Sequence, residues 1–163
     1  MRIGFGYDVH QLGPKRKLIL GGVELPYDKG LLGHSDADVL IHAIIDALIG
    51  ALALGDIGKL FPDNDDKYAG IDSRILLRKV WEIIKSKGYK IGNIDSTICA
   101  QKPKLQEYIY SMRLNIAQDL ECSIDDVSVK ATTEERMGIS GSEKGMTAYA
   151  VVLLASQEIK NQK

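Results

Sequence analysis

All three histidines of the 163-residue chain, His10, His34 and His42, fall in its first 42 residues, and two of them sit in patterns that suit a metal ion. Asp8 and His10 are two apart at the end of a segment in which Ile3, Phe5 and Tyr7 alternate with Arg2, Gly4 and Gly6, the period of a half-buried strand. Residues at that spacing project to the same side of a strand, so both side chains can reach one point. His42 lies one to two turns into a following helical segment and would complete a tripod from a different element. An Asp/His/His set suits zinc, with a fourth position open to water or a phosphate oxygen. Asp46, one turn further along, is placed to orient the His42 imidazole. A D-x-H pair alone is a weak pattern, and a lone histidine in an apolar helix more often packs than ligates. Burial adds weight to the metal reading: an imidazole among Ile41, Ala43, Ile44 and Ile45 needs partners for both nitrogens.

Three further segments carry polar chemistry. Gly33-His34-Ser35 leads into the first helical segment, where free N–H groups and the helix dipole favour an anion and His34 and Ser35 add donors. A simple N-cap role for Ser35 is compatible with that. The stretch Gly55 to Asp66 gathers acids beside glycines. It reads equally as a solvated turn or as acceptors for sugar and polyol hydroxyls, and it lacks the glycine and terminal glutamate positions of an EF-hand. Lys130-Ala131-Thr132-Thr133-Glu134-Glu135 follows a strand. Its hydroxyls and carboxylates could hold phosphates and a hard cation such as magnesium, although a short exposed polar run looks the same.

The elements that must position these groups read as one α/β domain over residues 1–163. It has a mixed sheet of four to five strands covered by helices on one face, plus a small hairpin, Lys17 to Leu25, turning at Gly21-Gly22. Gly30 to Gly33 reads as a loop. A helix capped near Ser35 runs to about Leu54 and is apolar nearly all round, which suits an interior. Leu54 to Gly70 is a long loop. A second helix is capped by Asp72, with Leu76, Val80, Ile83 and Ile84 as its buried stripe. A third, after Pro103, places Ile109, Met112, Ile116 and Leu120 at helical spacing. Strands are expected around Ile94 to Ala100, Val127 to Ala131 and Met146 to Ala155, with a loop from Arg136 to Gly145. A formal charge of -1 provides no field for nucleic acid or an acidic membrane. The most apolar stretch falls short of the ~20 residues a bilayer requires. With no leader-like opening, and with Cys99 and Cys122 in no metal or redox spacing, a cytoplasmic protein with reduced thiols is expected.

Taken in order, five runs resemble the 2-C-methyl-D-erythritol 2,4-cyclodiphosphate synthase family over essentially the whole chain. They are Gly4 to His10, Gly33 to Asp38, Gly55 to Asp63, Ala100 to Lys104, and Val129 to Thr133. The resemblance implies a homotrimer with active sites between subunits. It also implies conversion of 4-diphosphocytidyl-2-C-methyl-D-erythritol 2-phosphate to the cyclic diphosphate and CMP. By position, Asp8, His10 and His42 match zinc ligands, and Glu135 matches the ligand of a second divalent ion, Mg2+ or Mn2+. His34 and Thr133 match catalytic positions. Asp8, His10, His34, Ser35, Phe61, Pro62, Asp63, Asn64 and Asp65 match contacts to phosphate and methylerythritol. Asp56, Ile57 and Gly58 match contacts to ribose and polyol. Ala100, Gln101, Lys102 and Pro103, with Lys104, Leu105 and Gln106, match a cytosine pocket. Thr132, Thr133, Glu134, Glu135 and Ile139 complete the set. In this chemistry the substrate's 2-phosphate is the nucleophile. Already largely dianionic near neutrality, it needs no dedicated general base.

The chain departs from the family at several positions. Glu134 replaces a common threonine, which either adds charge for a divalent ion or points to solvent. Ile139 and Ser142 replace an aromatic residue and an arginine associated with an axial cavity for isoprenoid diphosphates. Loss of the arginine counts against such binding, with Lys144 a partial substitute. Two rival readings remain at this point: a metal-dependent phosphohydrolase on a similar scaffold, and a trimeric binding or structural protein in which the triad is merely packed.

Overall fold

The computed structural model describes residues 1–62 and 68–157. Asp63, Asn64 and Asp65 lie outside the described residues. The elements, in chain order, are β1 (Arg2–Pro14), β2 (Leu18–Leu20), β3 (Val23–Leu25), β4 (Lys29–Leu32), α1 (Val39–Ala51), α2 (Ile57–Leu60) and α3 (Ser73–Ser86). Then follow β5 (Tyr89–Cys99), α4 (Ile109–Asp119), β6 (Val127–Thr132), α5 (Gly138–Gly141) and β7 (Gly145–Ser156). Five strands form a mixed sheet in the order β4-β1-β7-β5-β6, and β2 and β3 form the separate hairpin. Only β5 and β6 run parallel, joined by the crossover through α4; the other neighbours are antiparallel.

Helix α1 is the centre of the core. Its apolar residues are buried almost all round because β1 and β7 lie under one side and α3 covers another. Each fully buried Ile or Leu of this helix contributes about 1.5–3 kcal/mol. The close seat of α1 decides which face of β1 is inward. Gly4 and Gly6 face the helix, and a Cβ there would stand 1.8 Å from the Ala47 carbonyl oxygen or 1.9 Å from that of Ala43. Ile3, Phe5 and Tyr7 are exposed on the far side of the sheet, Ile3 by 72% and Phe5 by 63%. The alternation was legible, but only the packing distance decides which face is inside.

The start of α1 also differs. Its N-cap is Asp38, which accepts from the Ile41 N–H at 3.1 Å. Ser35 makes its own turn by accepting from the Ala37 N–H, and the left-handed Ala37 (φ 59) prevents the helix from reaching back to Ser35. The helix ends at Ala51, with Leu52 as its C-cap. The expected loop at Gly30 to Gly33 is largely strand β4, hydrogen-bonded to the far end of β1 and too short to show a period. Two loops enclose four-residue helices, α2 and α5, for the same reason. Asp72 caps α3 as expected, accepting from the Arg74 N–H at 2.8 Å. Leu77 and Trp81 join its buried stripe, while Ile83 is half-buried.

The hairpin turn is tied to this core. Gly21 and Gly22 adopt φ 57 and φ 70, the left-handed pair that a two-residue turn requires. Their N–H groups donate to the two oxygens of Asp38 at 2.9 and 2.7 Å.

Candidate metal centre and its flanking clefts

Strand β1 carries Asp8 and His10 past the first turns of α1, where His42 projects towards them. Asp8 Oδ2, His10 Nε2 and His42 Nδ1 form a triangle with sides of 3.0, 3.1 and 3.1 Å. Among the described residues these three form the one cluster of metal-ligating side chains. Ligand atoms at about 2.0–2.1 Å from a tetrahedral zinc stand about 3.3 Å apart, so the triangle fits one ion after small adjustments. His10 Nδ1 faces the Leu32 carbonyl at 2.9 Å; a carbonyl only accepts, so the proton is on Nδ1 and Nε2 turns its lone pair to the triangle. Burial alone would raise the Asp8 carboxyl, but the hydrogen bonds and charge of His10 and His42 hold it well below the ordinary carboxylate range. Burial works against a charged His10, yet Asp8 and the Leu32 carbonyl raise its pKa above the ordinary 6.5.

Asp46 does not orient His42. Its Oδ1 accepts from the Ile57 N–H at 2.8 Å and so anchors the start of α2, one turn along α1 from the histidine. The partners of His42 Nε2 are hydroxyls that sequence reasoning did not assign to it: Ser73 Oγ at 2.9 Å and Ser35 Oγ at 3.1 Å. At the N-terminus of α1 the Asp38 carboxylate takes the Ile41 N–H, so an acidic group of the chain itself stands there. Burial and the nearby Asp36 push that carboxyl up to about 6, against three N–H donors that favour its charged form.

A cleft of about 220 Å³ opens over the triangle, lined by Asp8, His10, Gly33, His34, Ser35, His42, Ile57, Phe61, Tyr68 and Leu76. It thus gathers most of the residues expected near the phosphates. Tyr68 and Leu76 were not anticipated; nothing in their types or spacing marks them. Asp56 caps α2 by accepting from the Lys59 N–H at 3.0 Å, and Gly58 lies within that helix. Pro62 is exposed.

A second cleft, of about 430 Å³, is lined by Ala100, Gln101, Pro103, Lys104, Leu105, Gln106, Thr132 and Thr133, with Ile109 and the end of β6. Lys102 sits beside it in a depression shared with Gln101, Arg136 and Ser142. Among the described residues of a single chain, the two clefts have no lining residue in common. Glu135 does not join the triangle; it is exposed, left-handed (φ 50), and accepts from Thr133 Oγ1. Glu134 neither points to solvent nor joins Glu135. Its Oε2 accepts from the Ser140 N–H at 3.0 Å and the Ser140 hydroxyl at 2.7 Å, which lowers its pKa and fixes the turn before α5. Ile139 is half-exposed on that short helix.

The chain is similar to several known proteins. The 2-C-methyl-D-erythritol 2,4-cyclodiphosphate synthase of Finegoldia magna is 66% identical over 159 residues, which is 98% of this chain and 100% of the relative. The synthase of Clostridioides difficile is 63% identical over 154 residues, 94% of this chain and 96% of that protein. Among solved structures, the IspF of Plasmodium falciparum in complex with CDP is similar with a TM-score of 0.85 at 37% identity, covering 96% of this chain and 97% of that one. The bifunctional IspDF of Campylobacter jejuni gives a TM-score of 0.91 at 41% identity, over 95% of this chain and 42% of that longer one. A profile of the YgbB family matches residues 1–155. With its sheet, its Asp/His/His triangle and these relatives, the chain belongs to the YgbB family.

Proposed function

We propose that this protein converts 4-diphosphocytidyl-2-C-methyl-D-erythritol 2-phosphate to 2-C-methyl-D-erythritol 2,4-cyclodiphosphate with release of CMP. The observation that carries this reading is the convergence of Asp8, His10 and His42 in the lining of one cleft, in a chain whose full-length relatives are such synthases. The donor set fits zinc, and a second, harder ion (Mg2+ or Mn2+) is assigned to Glu135. When bound, such ions supply positive charge that offsets the meeting of two phosphates.

The residues of the chain do the rest by binding and orientation. An oxygen of the substrate's 2-phosphate attacks the β-phosphorus, and the bridging oxygen leaves with CMP. No proton has to be removed from the nucleophile. The first cleft has the volume of phosphates and a short polyol; of its lining, His34, Ser35 and Phe61 are assigned to phosphate and methylerythritol. Ile57, which also lines it, is assigned with its chain neighbours Asp56 and Gly58 to ribose and polyol. The second cleft is large enough for a cytosine and its ribose. Backbone groups of residues 100–106 are assigned to the base, and Thr132 and Thr133 to the diphosphate. Holding both ends of one substrate converts a collision between anions into an in-line intramolecular step.

Because the two clefts are separate on one chain, we assign the complete site to two neighbouring subunits of a homotrimer. The sheet face left bare by the helices supports this: Ile3, Phe5, Tyr7, Val9, Tyr149 and Val151 are all exposed there. We assign the protein to the cytoplasm; among the described residues no helix is long and apolar enough to cross a membrane. The test is to incubate the metal-loaded protein with substrate and identify the products. A cyclic diphosphate plus CMP is expected; an open-chain product plus CMP would make the protein a phosphohydrolase.

A further inference from the structure

The proton on His42 is decided by groups outside the metal triangle. Ser73, the first residue of α3, is fully buried. Its hydroxyl donates to Asp36 Oδ1 and its oxygen lies 2.9 Å from His42 Nε2. Asp36 is itself held from several sides. Its Oδ2 accepts from the Ser73 N–H at 3.0 Å, its Oδ1 from the Asp38 N–H at 3.1 Å, and its own N–H donates to the Ile71 carbonyl at 3.0 Å.

A hydroxyl has one proton. Ser73 commits it to a carboxylate, so only a lone pair of Ser73 faces His42. The hydrogen between them therefore belongs to His42 Nε2, and Nδ1 is left with its lone pair towards Asp8 and His10. Ser35 does not settle the matter alone: its oxygen accepts from the Ala37 N–H, and its hydroxyl can rotate. We propose that Ser73 and Asp36 are positioning residues of the metal site, holding the His42 imidazole in the Nε2–H form with Nδ1 ready to ligate. This rests on the metal reading of Asp8, His10 and His42.

His10 reaches the equivalent state through the Leu32 backbone carbonyl, which no side-chain substitution removes. For His42 the same work falls to side chains, so the two ligands differ in how they respond to mutation. Partners of this kind fix both ring orientation and tautomer, and losing one typically weakens metal binding about 10–100-fold.

The experiment measures zinc affinity of the full chain by competition with a chromophoric chelator, for wild type, Ser73→Ala, Asp36→Asn and His42→Ala. Cobalt(II) absorption reports the ligand field in parallel. Ser73→Ala is expected to weaken zinc binding by about 10–100-fold and to alter the cobalt spectrum. Asp36→Asn, with one acceptor oxygen for three donors, should move both in the same direction. Zinc affinity of Ser73→Ala within twofold of wild type would overturn the proposal. Should that variant not fold, two-bond 1H–15N spectra of zinc-loaded wild type decide alone. A His42 proton on Nε2 supports the proposal, and a proton on Nδ1 overturns it. His42→Ala separates this claim from the one beneath it. Zinc lost from His42→Ala but kept by Ser73→Ala defeats only the positioning role, whereas zinc kept by His42→Ala defeats the metal site.

Discussion

At the residue scale, Asp8, His10 and His42 are the side chains whose removal should matter most. Asp8→Ala and His42→Ala are each expected to lose most bound zinc and to lower product formation by at least about 100-fold, as metal analysis and turnover assays would read. Zinc affinity should also depend on pH with a definite sign. Asp8 and the Leu32 carbonyl raise the His10 pKa above 6.5 in the metal-free protein. Below that raised value a proton occupies His10 Nε2 and competes with the ion. Affinity should therefore fall about tenfold per pH unit on the acid side and level off on the alkaline side, in chelator titrations across that range. The triangle was legible because i and i+2 on a strand share a side and because histidine is scarce in this chain. The partners of His42 Nε2 were not. Ser73 and Asp36 meet it through contacts 31 and 37 residues apart, set by how α3 docks, and no local pattern encodes that. The same reasoning misplaced Asp46, which shares the helical face but turns to the Ile57 N–H instead.

Elements decide whether the triangle closes. His42 reaches Asp8 because α1 lies against the bare backbone of β1 at Gly4 and Gly6, where any Cβ would overlap the helix. Gly6→Ala should cost about 3 kcal/mol, the upper end of ordinary overpacking, in denaturant unfolding. Since the strain pushes on Ala43, the neighbour of His42, zinc affinity should fall with it. Asp38 is the second fixture. Asp38→Ala would leave the Gly21, Gly22 and Ile41 N–H groups without an acceptor and should destabilise the fold by about 3 kcal/mol in the same assay. Helices α3 and α4, strand β7 and the second half of β5 were readable from their patterns, whereas the first half of β5 was not, its register shifting between Ile91 and Asn93. The short elements β4, α2 and α5 were not, since three or four residues show no period. Which face of β1 the helix covers was not legible either, because apolar alternation marks a side that is covered by something, not which partner covers it.

At the scale of the whole molecule, one sheet face is packed by helices and the other presents a stripe of exposed apolar and aromatic side chains, with Phe5 exposed by 63%. The homotrimer assigned above would bury that stripe. Wild type should sediment at three times the chain mass, and Phe5→Asp should shift it towards monomer and lose turnover, since a charge in an apolar contact is left unpaired. Family membership was legible from motif order, but the separation of the two clefts was not, because it depends on where β6 and the 100–106 segment end relative to β1. The most direct check of the account is a crystal structure of the zinc-loaded protein with CDP, using anomalous scattering at the zinc edge. A peak within about 2.2 Å of Asp8 Oδ2, His10 Nε2 and His42 Nδ1 is expected. The cytosine should lie against residues 100–106 of one subunit, with the diphosphate reaching the triangle of the next. An anomalous peak elsewhere, or a nucleotide whose diphosphate points away from the triangle, would contradict it.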